Sequence, residues 1–168
     1  MLAYGAGNAA AFETLYTRHR GRLYRFVLRS VKARGTAEEL FQEIWMRVIE
    51  ARSRYTPQAR FTTWLYTIAH NLLTDHWRRK GLALVELDED AHAAAPDDPA
   101  RSAEARQALA RFAAALEALP PLQRQAFLMH EEGGLSLAEI AQATGSNEEA
   151  AKSRLRYAMA KLKAAADG

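Results

Sequence analysis

The sequence of 168 residues contains no cysteine. This absence excludes disulfide frameworks, thiolate zinc sites and cysteine nucleophiles. Long hydrophobic runs are also missing, since no apolar stretch approaches the roughly 18 residues that a membrane span requires. The first residues, Met-Leu-Ala-Tyr-Gly-Ala-Gly, lack the charged and apolar regions of a signal peptide. We therefore expect a soluble, cytoplasmic protein with no membrane insertion.

Residue groups that hold metals or carry out catalysis are scarce as well. His70 and His76 are six residues apart, which separates them by about 240° around a helix, so they do not converge on one ion. Histidine pairs that bind metal on a helix favour a spacing of four. The chain also lacks a Gly-rich phosphate loop and a recognisable Ser/His/Asp arrangement. The sequence therefore predicts no metal site, no cofactor and no enzymatic activity.

Charge is abundant but unevenly distributed. Residues 1–80 hold 14 Lys and Arg against six Asp and Glu, residues 81–105 hold one against seven, and residues 106–168 hold eight against seven. The net formal charge of +3 therefore hides a basic first half and an acidic middle segment. Such segregation indicates that different segments meet different partners.

Hydrophobic periodicity predicts three amphipathic helices in the first eighty residues. The first begins near Phe12, the second begins at a capping box formed by Thr36 and Glu39, and the third begins at Phe61. Residues 52–60 contain a Thr-Pro step that cannot continue a helix, so they read as a loop. Three such helices can close a small core.

A change of composition divides the chain in two. Residues 82–104 are rich in Asp, Glu and Ala and contain Pro96 and Pro99, which predicts a flexible acidic linker. Helical patterning then returns, and Pro120-Pro121 marks the start of a further helix. The sequence thus predicts an all-α protein with a three-helix domain over 1–81 and a four-helix domain over 105–168, joined by the linker.

Residues 135–156 have the pattern of a helix-turn-helix. Ser136 and Glu139 have capping-box spacing, Gly145 suits the chain reversal, and Ser146 is placed to begin the second helix. The second helix is basic, with Lys152, Arg154 and Arg156 facing outward. A helix-turn-helix places such a helix in the major groove of DNA. The alternative is an ordinary helical hairpin with a solvated basic face.

Aromatic and basic side chains are mixed along the third helix and the loop before it. They are Arg52, Arg54, Tyr55, Arg60, Phe61, Trp64, Tyr66, Trp77, Arg78, Arg79 and Lys80. Single-stranded nucleic acid binds to such surfaces, because rings stack on unpaired bases and cations follow the phosphates. Phe61 and Trp64 share the apolar face of the helix, so at least one is expected in the core. Tyr66, Asn71 and Trp77 lie off that face and are better candidates for contact, although Asn71 is equally compatible with a solvated position.

A polar stripe on the second helix consists of Glu39, Gln42, Glu43 and Arg47, with Glu38 beside it. One interpretation is a solvated face whose ion pairs contribute a few tenths of a kcal/mol, roughly. The other is a docking surface for a helix of a partner protein. Spacing alone favours the solvated face.

Together these segments resemble the extracytoplasmic-function (ECF) branch of the bacterial sigma factors, the promoter-recognition subunits of RNA polymerase. The resemblance covers about residues 11–80 and 105–163. It rests on Ala37-Glu-Glu-Leu-Phe-Gln-Glu-Ile-Trp45, Arg60-Phe-Thr-Thr-Trp-Leu-Tyr-Thr-Ile-Ala-His-Asn71, Asp75-His-Trp-Arg-Arg79, Leu119-Pro-Pro-Leu-Gln-Arg124, Glu139-Ile-Ala141 and Lys152-Ser-Arg-Leu155. Each motif is weak alone, but their order and spacing in a short chain are specific.

The resemblance implies a function and a role for each site. The domain over 1–81 is similar to sigma region 2, in which the polar stripe grips the β′ clamp helices of core RNA polymerase. Its implied contacts to the minus-ten promoter element are Arg54, Tyr55, Arg60, Phe61, Trp64, Tyr66, Asn71, Arg78 and Arg79. The domain over 105–168 is similar to sigma region 4, which sits on the β flap. Its implied contacts to the minus-thirty-five element are Ser146, Asn147, Glu148, Lys152, Ser153, Arg154 and Arg156.

The implied partners are therefore core RNA polymerase, promoter DNA and an anti-sigma factor, and the implied activity is promoter recognition, DNA melting and transcription initiation. The linker resembles the connector that threads toward the active-site and RNA-exit channels. One departure concerns the second helix of the helix-turn-helix: the family often has Thr-Val before Lys-Ser-Arg, whereas this chain has Ala150-Ala151. The lost hydroxyl removes a phosphate contact. Glu148 and Glu149 would repel phosphate but can accept a hydrogen bond from cytosine.

Two other functions are compatible with the residues. A stand-alone helix-turn-helix regulator would bind duplex DNA without polymerase, and the polar stripe and the aromatic basic helix would then have no role. A protein-interaction module that occupies a polymerase or anti-sigma surface would bind its partner without directing transcription.

Overall fold

A computed structural model describes residues 1–82, 84 and 101–167 of the chain, without the side chains of 101–104. All secondary structure in these residues is helical, as the sequence predicts. The helices in chain order are α1 (Leu2–Gly5), α2 (Ala9–Val31), α3 (Arg34–Glu50), α4 (Phe61–Arg79), α5 (Arg101–Ala118), α6 (Pro121–Glu131), α7 (Leu137–Thr144) and α8 (Glu148–Asp167). None of the helices in the described ranges is long and apolar enough to cross a membrane.

The N-terminal domain is built from α2, α3 and α4, which confirms the three predicted helices. Its core consists of side chains with no exposed surface: Leu23, Phe26, Val27, Ile44, Val48, Leu65 and Leu73. The short α1 was not predicted from the sequence. It buries Tyr4, whose ring lies 5.1 Å from that of Phe12, and so it extends the core at the start of α2.

The turn between α2 and α3 is shorter than the sequence predicts. Lys32 adopts a positive φ of 66° and Ala33 is extended, so two residues reverse the chain and α3 begins at Arg34. Thr36 and Glu39 consequently lie within the helix, and the predicted capping box does not form. Arg34 instead donates a hydrogen bond to Glu38 at 2.9 Å, an i to i+4 pair within the first turns.

Four helices, α5 to α8, form the C-terminal domain. Pro121 occupies the first turn of α6, where its missing N–H costs nothing. Helix α5 begins at Arg101, inside the range predicted as linker, and the rest of the linker prediction falls mainly on residues 83 and 85–100, which lie outside the described part.

The helix-turn-helix is formed by α7 and α8. The capping box of Ser136 and Glu139 is present, and Gly145 takes the left-handed conformation at φ 62° and ψ 29°. The predicted cap of the second helix is wrong: Asn147 Oδ1, not Ser146, accepts from the backbone N–H of Ala150 at 2.8 Å. Ser146 Oγ lies 2.9 Å from Thr144 Oγ1 instead, so its hydroxyl stabilises the turn.

The two domains pack against each other, a relationship that the sequence does not predict. Helix α4 lies against α7, and α2 lies against α6. The buried hydrophobic side chains form one cluster that includes Tyr66 of α4 and Leu135 at the start of the helix-turn-helix. The face of α4 opposite to its own domain is therefore covered by the C-terminal domain.

Candidate nucleic-acid interface

A cleft of about 490 Å³ lies between the loop over 51–60 and the first turns of α4. It is lined by Ala51, Arg54, Tyr55, Thr56, Gln58, Ala59, Thr63, Trp64, Thr67 and Gln142. We refer to this space as the loop cleft. The Tyr55 ring packs on the Trp64 ring with centroids 4.8 Å apart in an edge-on arrangement, which fixes the position of both rings. Burial raises the pKa of Tyr55 above its ordinary value. The loop cleft thus combines aromatic, amide and hydroxyl groups around a space large enough to admit a nucleobase.

One face of α4 is open to solvent beyond the loop cleft. Trp64, Asn71 and Arg78 follow each other at spacings of seven residues, which places them within about 40° of one another on the helix. Asn71 and Arg78 are exposed and Trp64 is half-buried. Arg79 is also exposed, at the end of the helix. The structure therefore brings four of the predicted DNA contacts, together with Arg54 and Tyr55 of the loop, onto one continuous surface.

Tyr66 and Trp77 do not lie on this surface, and the prediction that they face outward is wrong. Tyr66 is 2% exposed and packs against Phe26 with ring centroids 4.9 Å apart, while Trp77 is 3% exposed. Burial, together with the charge of Glu132, raises the pKa of Tyr66. The physical reason is that α4 is covered on two sides, by its own domain and by α7. The apolar stripe that is visible in the sequence indicates only one of these two covered sides.

Phe61 forms a wall of the interface instead of an open stacking platform. Its ring lies 5.1 Å from that of His19 and 5.8 Å from that of Trp64, and it is half-buried. Burial lowers the pKa of His19, and the neighbouring charges of Arg18 and Arg22 lower it further. At neutral pH His19 is therefore an uncharged contact for Phe61.

Arg60, predicted to contact DNA, pairs with a residue of the other domain. Its guanidinium donates two hydrogen bonds to the carboxylate of Glu139, one from Nε to Oε1 and one from Nη2 to Oε2 at 3.0 Å. Thr63 Oγ1 donates to Glu139 Oε1 at 3.2 Å. The carboxylate that caps α7 thus also holds the N-terminal end of α4.

The charge of Glu139 is stabilised by these partners. Partial burial opposes ionisation, but hydrogen bonds from Ser136 and Arg60 and the positive charge of Arg60 outweigh it and lower the pKa of Glu139. Oε2 accepts from the backbone N–H of Ser136 at 2.9 Å and from Arg60 Nη2, while Oε1 accepts from Arg60 Nε and Thr63 Oγ1. The capping-box spacing in the sequence indicates the first of these interactions and gives no sign of the second.

Besides an exposed ion pair between Lys32 Nζ and Glu117 at 3.4 Å, three more shielded polar contacts join the domains, and sequence analysis missed all of them. Glu132, which is 7% exposed, accepts from Arg25 Nε at 2.9 Å and from Arg29 Nη1 at 2.6 Å. Arg124 is buried and donates to the Ser30 carbonyl at 3.1 Å, and burial lowers its pKa. The third contact joins His70 Nδ1 and Gln125 Oε1, 2.7 Å apart. The signal that could have found them is the presence of charged and amide side chains among the apolar positions of α6.

The polar stripe of α3 lies on an exposed face of the N-terminal domain. Glu39, Gln42 and Arg47 are exposed, and Arg47 pairs with Glu43 at 3.3 Å. Met46 lies among them with 52% of its surface exposed. An exposed methionine within a polar face is a common feature of surfaces that bind partner helices.

The outer face of α8 carries the predicted duplex contacts. Glu148, Lys152 and Arg156 are exposed at spacings of four, and Arg156 lies over the Tyr157 ring at 5.0 Å. Ser153 and Arg154 are half-buried. The seam behind this face is apolar and buried as predicted, formed by Ile140, Ala141, Ala151 and Leu155. The helix is therefore held firmly while its basic side remains open.

Metal-binding clusters are not found among the described residues: no three His, Asp or Glu side chains there are close enough to hold an ion. Burial and the charges of Lys80 and Arg79 lower the pKa of His76, while His70 is engaged with Gln125.

The loop cleft with the open face of α4 and the outer face of α8 together support a two-part surface for nucleic acid. The fold and the surfaces thus define a two-domain helical DNA-binding protein.

Comparison with known proteins assigns both domains. Residues 15–82 match the family Sigma-70 region 2, and residues 109–162 match Sigma-70, region 4. The RNA polymerase sigma factor CarQ of Myxococcus xanthus is 34% identical over 161 residues, which cover 94% of this chain and 90% of CarQ. The ECF RNA polymerase sigma factor SigK of Mycobacterium tuberculosis is 31% identical over 92% of this chain and 84% of SigK. The chain belongs to the ECF branch of the RNA polymerase sigma factors.

A third relative agrees with this assignment, and two solved structures have the same fold. The ECF RNA polymerase sigma factor BldN of Streptomyces coelicolor is 34% identical over 90% of this chain, which spans only 58% of the length of BldN. The structure of CnrH in complex with the cytosolic domain of CnrY has a TM-score of 0.70 at 24% identity, covering 97% of this chain and 92% of CnrH. The sigma factor RpoE of Bartonella quintana, solved with the anti-sigma factor NepR, has a TM-score of 0.70 at 22% identity, covering 92% of this chain and 96% of RpoE. Both structures share the fold.

Proposed function

We propose that this sigma factor binds core RNA polymerase and directs it to promoters with two elements, which its two domains contact separately. The observation that carries the proposal is the division of surfaces between the domains. The loop cleft and the open face of α4 present rings, an amide and cations suited to unpaired bases. The helix-turn-helix presents a basic helix suited to the major groove.

The N-terminal domain, in this account, captures the minus-ten element as a single strand. Arg54, Tyr55 and Trp64 line a space that can accommodate a flipped base, and Asn71 lies two turns farther along α4 on the same face as Trp64. Flipping a base costs on the order of a few kcal/mol of stacking, which contacts in a shaped pocket offset. Arg78 and Arg79 supply positive charge along the path of the strand.

The C-terminal domain holds the minus-thirty-five element as a duplex. Lys152 and Arg156 are placed for phosphates and base edges, and Asn147 and Ser153 border them. Glu148 at the start of α8 is suited to accept from the amino group of cytosine. Ala150 stands where the family often has threonine, and it has no hydroxyl to offer to a phosphate. We therefore expect weaker contacts to the DNA backbone and a greater dependence on contacts to the bases.

The polymerase would contact the polar stripe of α3 through its β′ clamp helices. Glu39, Gln42, Glu43 and Arg47 provide polar contacts around the exposed side chain of Met46. The C-terminal domain would contact the β flap. An anti-sigma factor is a further expected partner, since CnrH and RpoE of Bartonella quintana were both solved with the proteins named in their structures, CnrY and the anti-sigma factor NepR.

Run-off transcription with core polymerase tests the proposal. Core enzyme with and without this protein is supplied with a promoter library, and transcripts are sequenced to map their start sites. We expect defined start sites only when both components are present. The stand-alone regulator and the interaction module both predict that no such start sites arise. The double variant Gln42→Ala, Arg47→Ala serves as a comparison. Its transcription should be reduced when core enzyme is limiting and should approach that of the unsubstituted protein when core enzyme is saturating.

A further inference from the structure

Arginines of the N-terminal domain face carboxylates of the C-terminal domain at two places, besides an exposed ion pair between Lys32 Nζ and Glu117 at 3.4 Å. At the edge of the loop cleft, Arg60 pairs with Glu139 through both oxygens. On α2, Arg25 and Arg29 pair with the two oxygens of Glu132. In both places an acidic group of one domain neutralises guanidinium groups of the other.

The arginines of α2 form a stripe that leads toward the loop cleft. Arg18, Arg22, Arg25 and Arg29 recur at spacings of four, three and four, so they share one face of the helix. His19 at the start of this stripe contacts the ring of Phe61, the residue next to Arg60. The stripe is not explained by the core of the domain, because its members are long cations with about half of the Arg25 and Arg29 side chains exposed.

We propose that in the free chain Glu132 and Glu139 occupy the positions that strand phosphates take in the promoter complex. This inference rests on the proposed function. A carboxylate and a phosphate accept the same hydrogen bonds from arginine, whether two from one guanidinium group, as at Glu139, or one from each of two, as at Glu132. One can therefore replace the other without rearrangement of the guanidinium groups. Packing of the domains and capture of a single strand then exclude each other, and the free protein is held in a closed form.

The packing also covers the surfaces that DNA requires. Gln142 of α7 forms part of the wall of the loop cleft. Helix α7 lies against α4, whereas the first helix of a helix-turn-helix normally crosses the DNA backbone. In the closed form α7 therefore borders the loop cleft on one side and has its other contacts taken up by α4, so the same packing restricts the strand at the cleft and the duplex at α7.

The two ion pairs differ in strength. The side chain of Arg60 is 60% exposed and that of Glu139 is 21% exposed, so water and salt weaken their attraction. The side chain of Glu132 is 9% exposed and accepts from two half-exposed arginines at once, so its replacement removes two charge-assisted hydrogen bonds that are shielded from water on the carboxylate side. We expect the Glu139 contact to release first and the Glu132 contact to hold the domains together.

The test measures domain separation and strand binding in the full chain. Gly35→Cys and Ala160→Cys add unique labelling sites to a chain without cysteine, one on each domain, for a fluorescence energy-transfer pair. The ligand is a pool of 12-nucleotide single-stranded DNA with random sequence. We expect high transfer in the free protein, and a fall in transfer as the DNA binds.

Glu139→Gln should bind the DNA about two- to five-fold more tightly. Glu132→Gln should bind about ten-fold more tightly or better and start with lower transfer.

Two controls separate the proposed effect from its alternatives. Glu131→Gln makes the same change of charge at the neighbouring exposed position, and Ser136→Ala weakens the cap of α7 without removing the carboxylate from Arg60. Both should behave as the unsubstituted chain. Low transfer in the free protein, or binding of DNA with unchanged transfer, would overturn the closed form. Equal DNA affinity of Glu132→Gln and Glu131→Gln would overturn it as well. Run-off transcription reports on the proposed function independently, so the failure of one does not imply the failure of the other.

Discussion

Gly133 lies directly against the Tyr66 ring, where the C-terminal domain meets α4. A Cβ atom at Gly133 would be 3.1 Å from Tyr66 Cζ and 2.6 Å from the Met129 carbonyl oxygen. The backbone contact cannot yield without moving α6, so only glycine fits here. This close approach lets α6 and α7 pack on α4 and places Glu132 and Glu139 opposite their arginines.

Gly133→Ala should therefore destabilise the protein by roughly 1–3 kcal/mol, the usual effect of overpacking a filled position. The measurement is urea unfolding followed by tryptophan fluorescence. Gly21→Ala is the matched control: the added methyl group would meet only the Arg25 side chain, at 3.6 Å, and α2 should gain roughly 0.5–1 kcal/mol from a better helix former. A Gly133→Ala protein that is as stable as the unsubstituted one would show that Gly133 is not packed as closely against Met129 and Tyr66 as described.

Asn71→Ala combined with Tyr55→Ala should impair promoter opening more than polymerase binding. Each lost base contact reduces strand capture by roughly 1–3 kcal/mol, while the polar stripe on α3 is unchanged. Permanganate footprinting measures the opening, and fluorescence anisotropy of labelled protein measures core binding. Gln42→Ala with Arg47→Ala should give the opposite pattern. If each double variant lost promoter opening and core binding to the same degree, the assignment of these two tasks to different surfaces would be refuted.

Lys152→Ala should weaken binding of the holoenzyme to the upstream element and make it less dependent on salt. Removal of one phosphate contact reduces the slope of log K against log salt by about one. Lys163→Ala is the control, because it removes the same charge from the same helix farther from the turn. An equal slope for Lys152→Ala and the unsubstituted protein would exclude Lys152 from the phosphate contacts.

Acidification should separate the two domains through His70. Burial lowers the pKa of His70 in the packed form. The hydrogen bond with Gln125 raises this pKa, and the positive charges of Arg154 and Arg78 lower it further. In the separated form the ring is solvated and has its ordinary pKa of 6.5. The packed form is therefore fully favoured above pH 6.5 and loses stability as the pH falls below that value, because the separated form takes up the proton first.

Energy transfer between the labels at positions 35 and 160 measures this dependence. We expect it to fall as the pH is lowered from about 7.5 to about 5.5. His70→Gln cannot take up a proton at this position, so its transfer should vary much less over the same range. His19→Gln, which lies away from Gln125, should retain the dependence of the unsubstituted protein. A profile that is the same with and without His70 would remove it from the domain contact.

Secondary structure was largely predictable because most helices carry local signals. The capping box of Ser136 and the glycine at 145 are set by their neighbours in sequence, and the structure confirms both. The errors arose where a residue a few positions away competes for the same role. Asn147 caps α8 in place of Ser146, and the two-residue turn after Val31 leaves Thr36 inside α3.

The candidate site was predictable only in part, since periodicity describes one helix at a time. Asn71 and Arg78 lie on the open face of α4, as expected from their positions. Tyr66 does not, because the C-terminal domain covers its side of the helix. Glu132 and Gln125 look like ordinary polar residues in the sequence. Their roles depend on partners about a hundred and about fifty residues away, respectively, which only the packing of the two domains reveals.

The division of tasks between the domains is tested most directly by a series of promoters that differ in the spacing of their two elements. Promoter opening by the holoenzyme is measured with permanganate at each spacing. An insertion of about five base pairs rotates one element by half a turn of the duplex. We predict that it abolishes opening while upstream binding persists. Opening that is independent of spacing would contradict the claim that one domain holds the duplex while the other captures the melted strand.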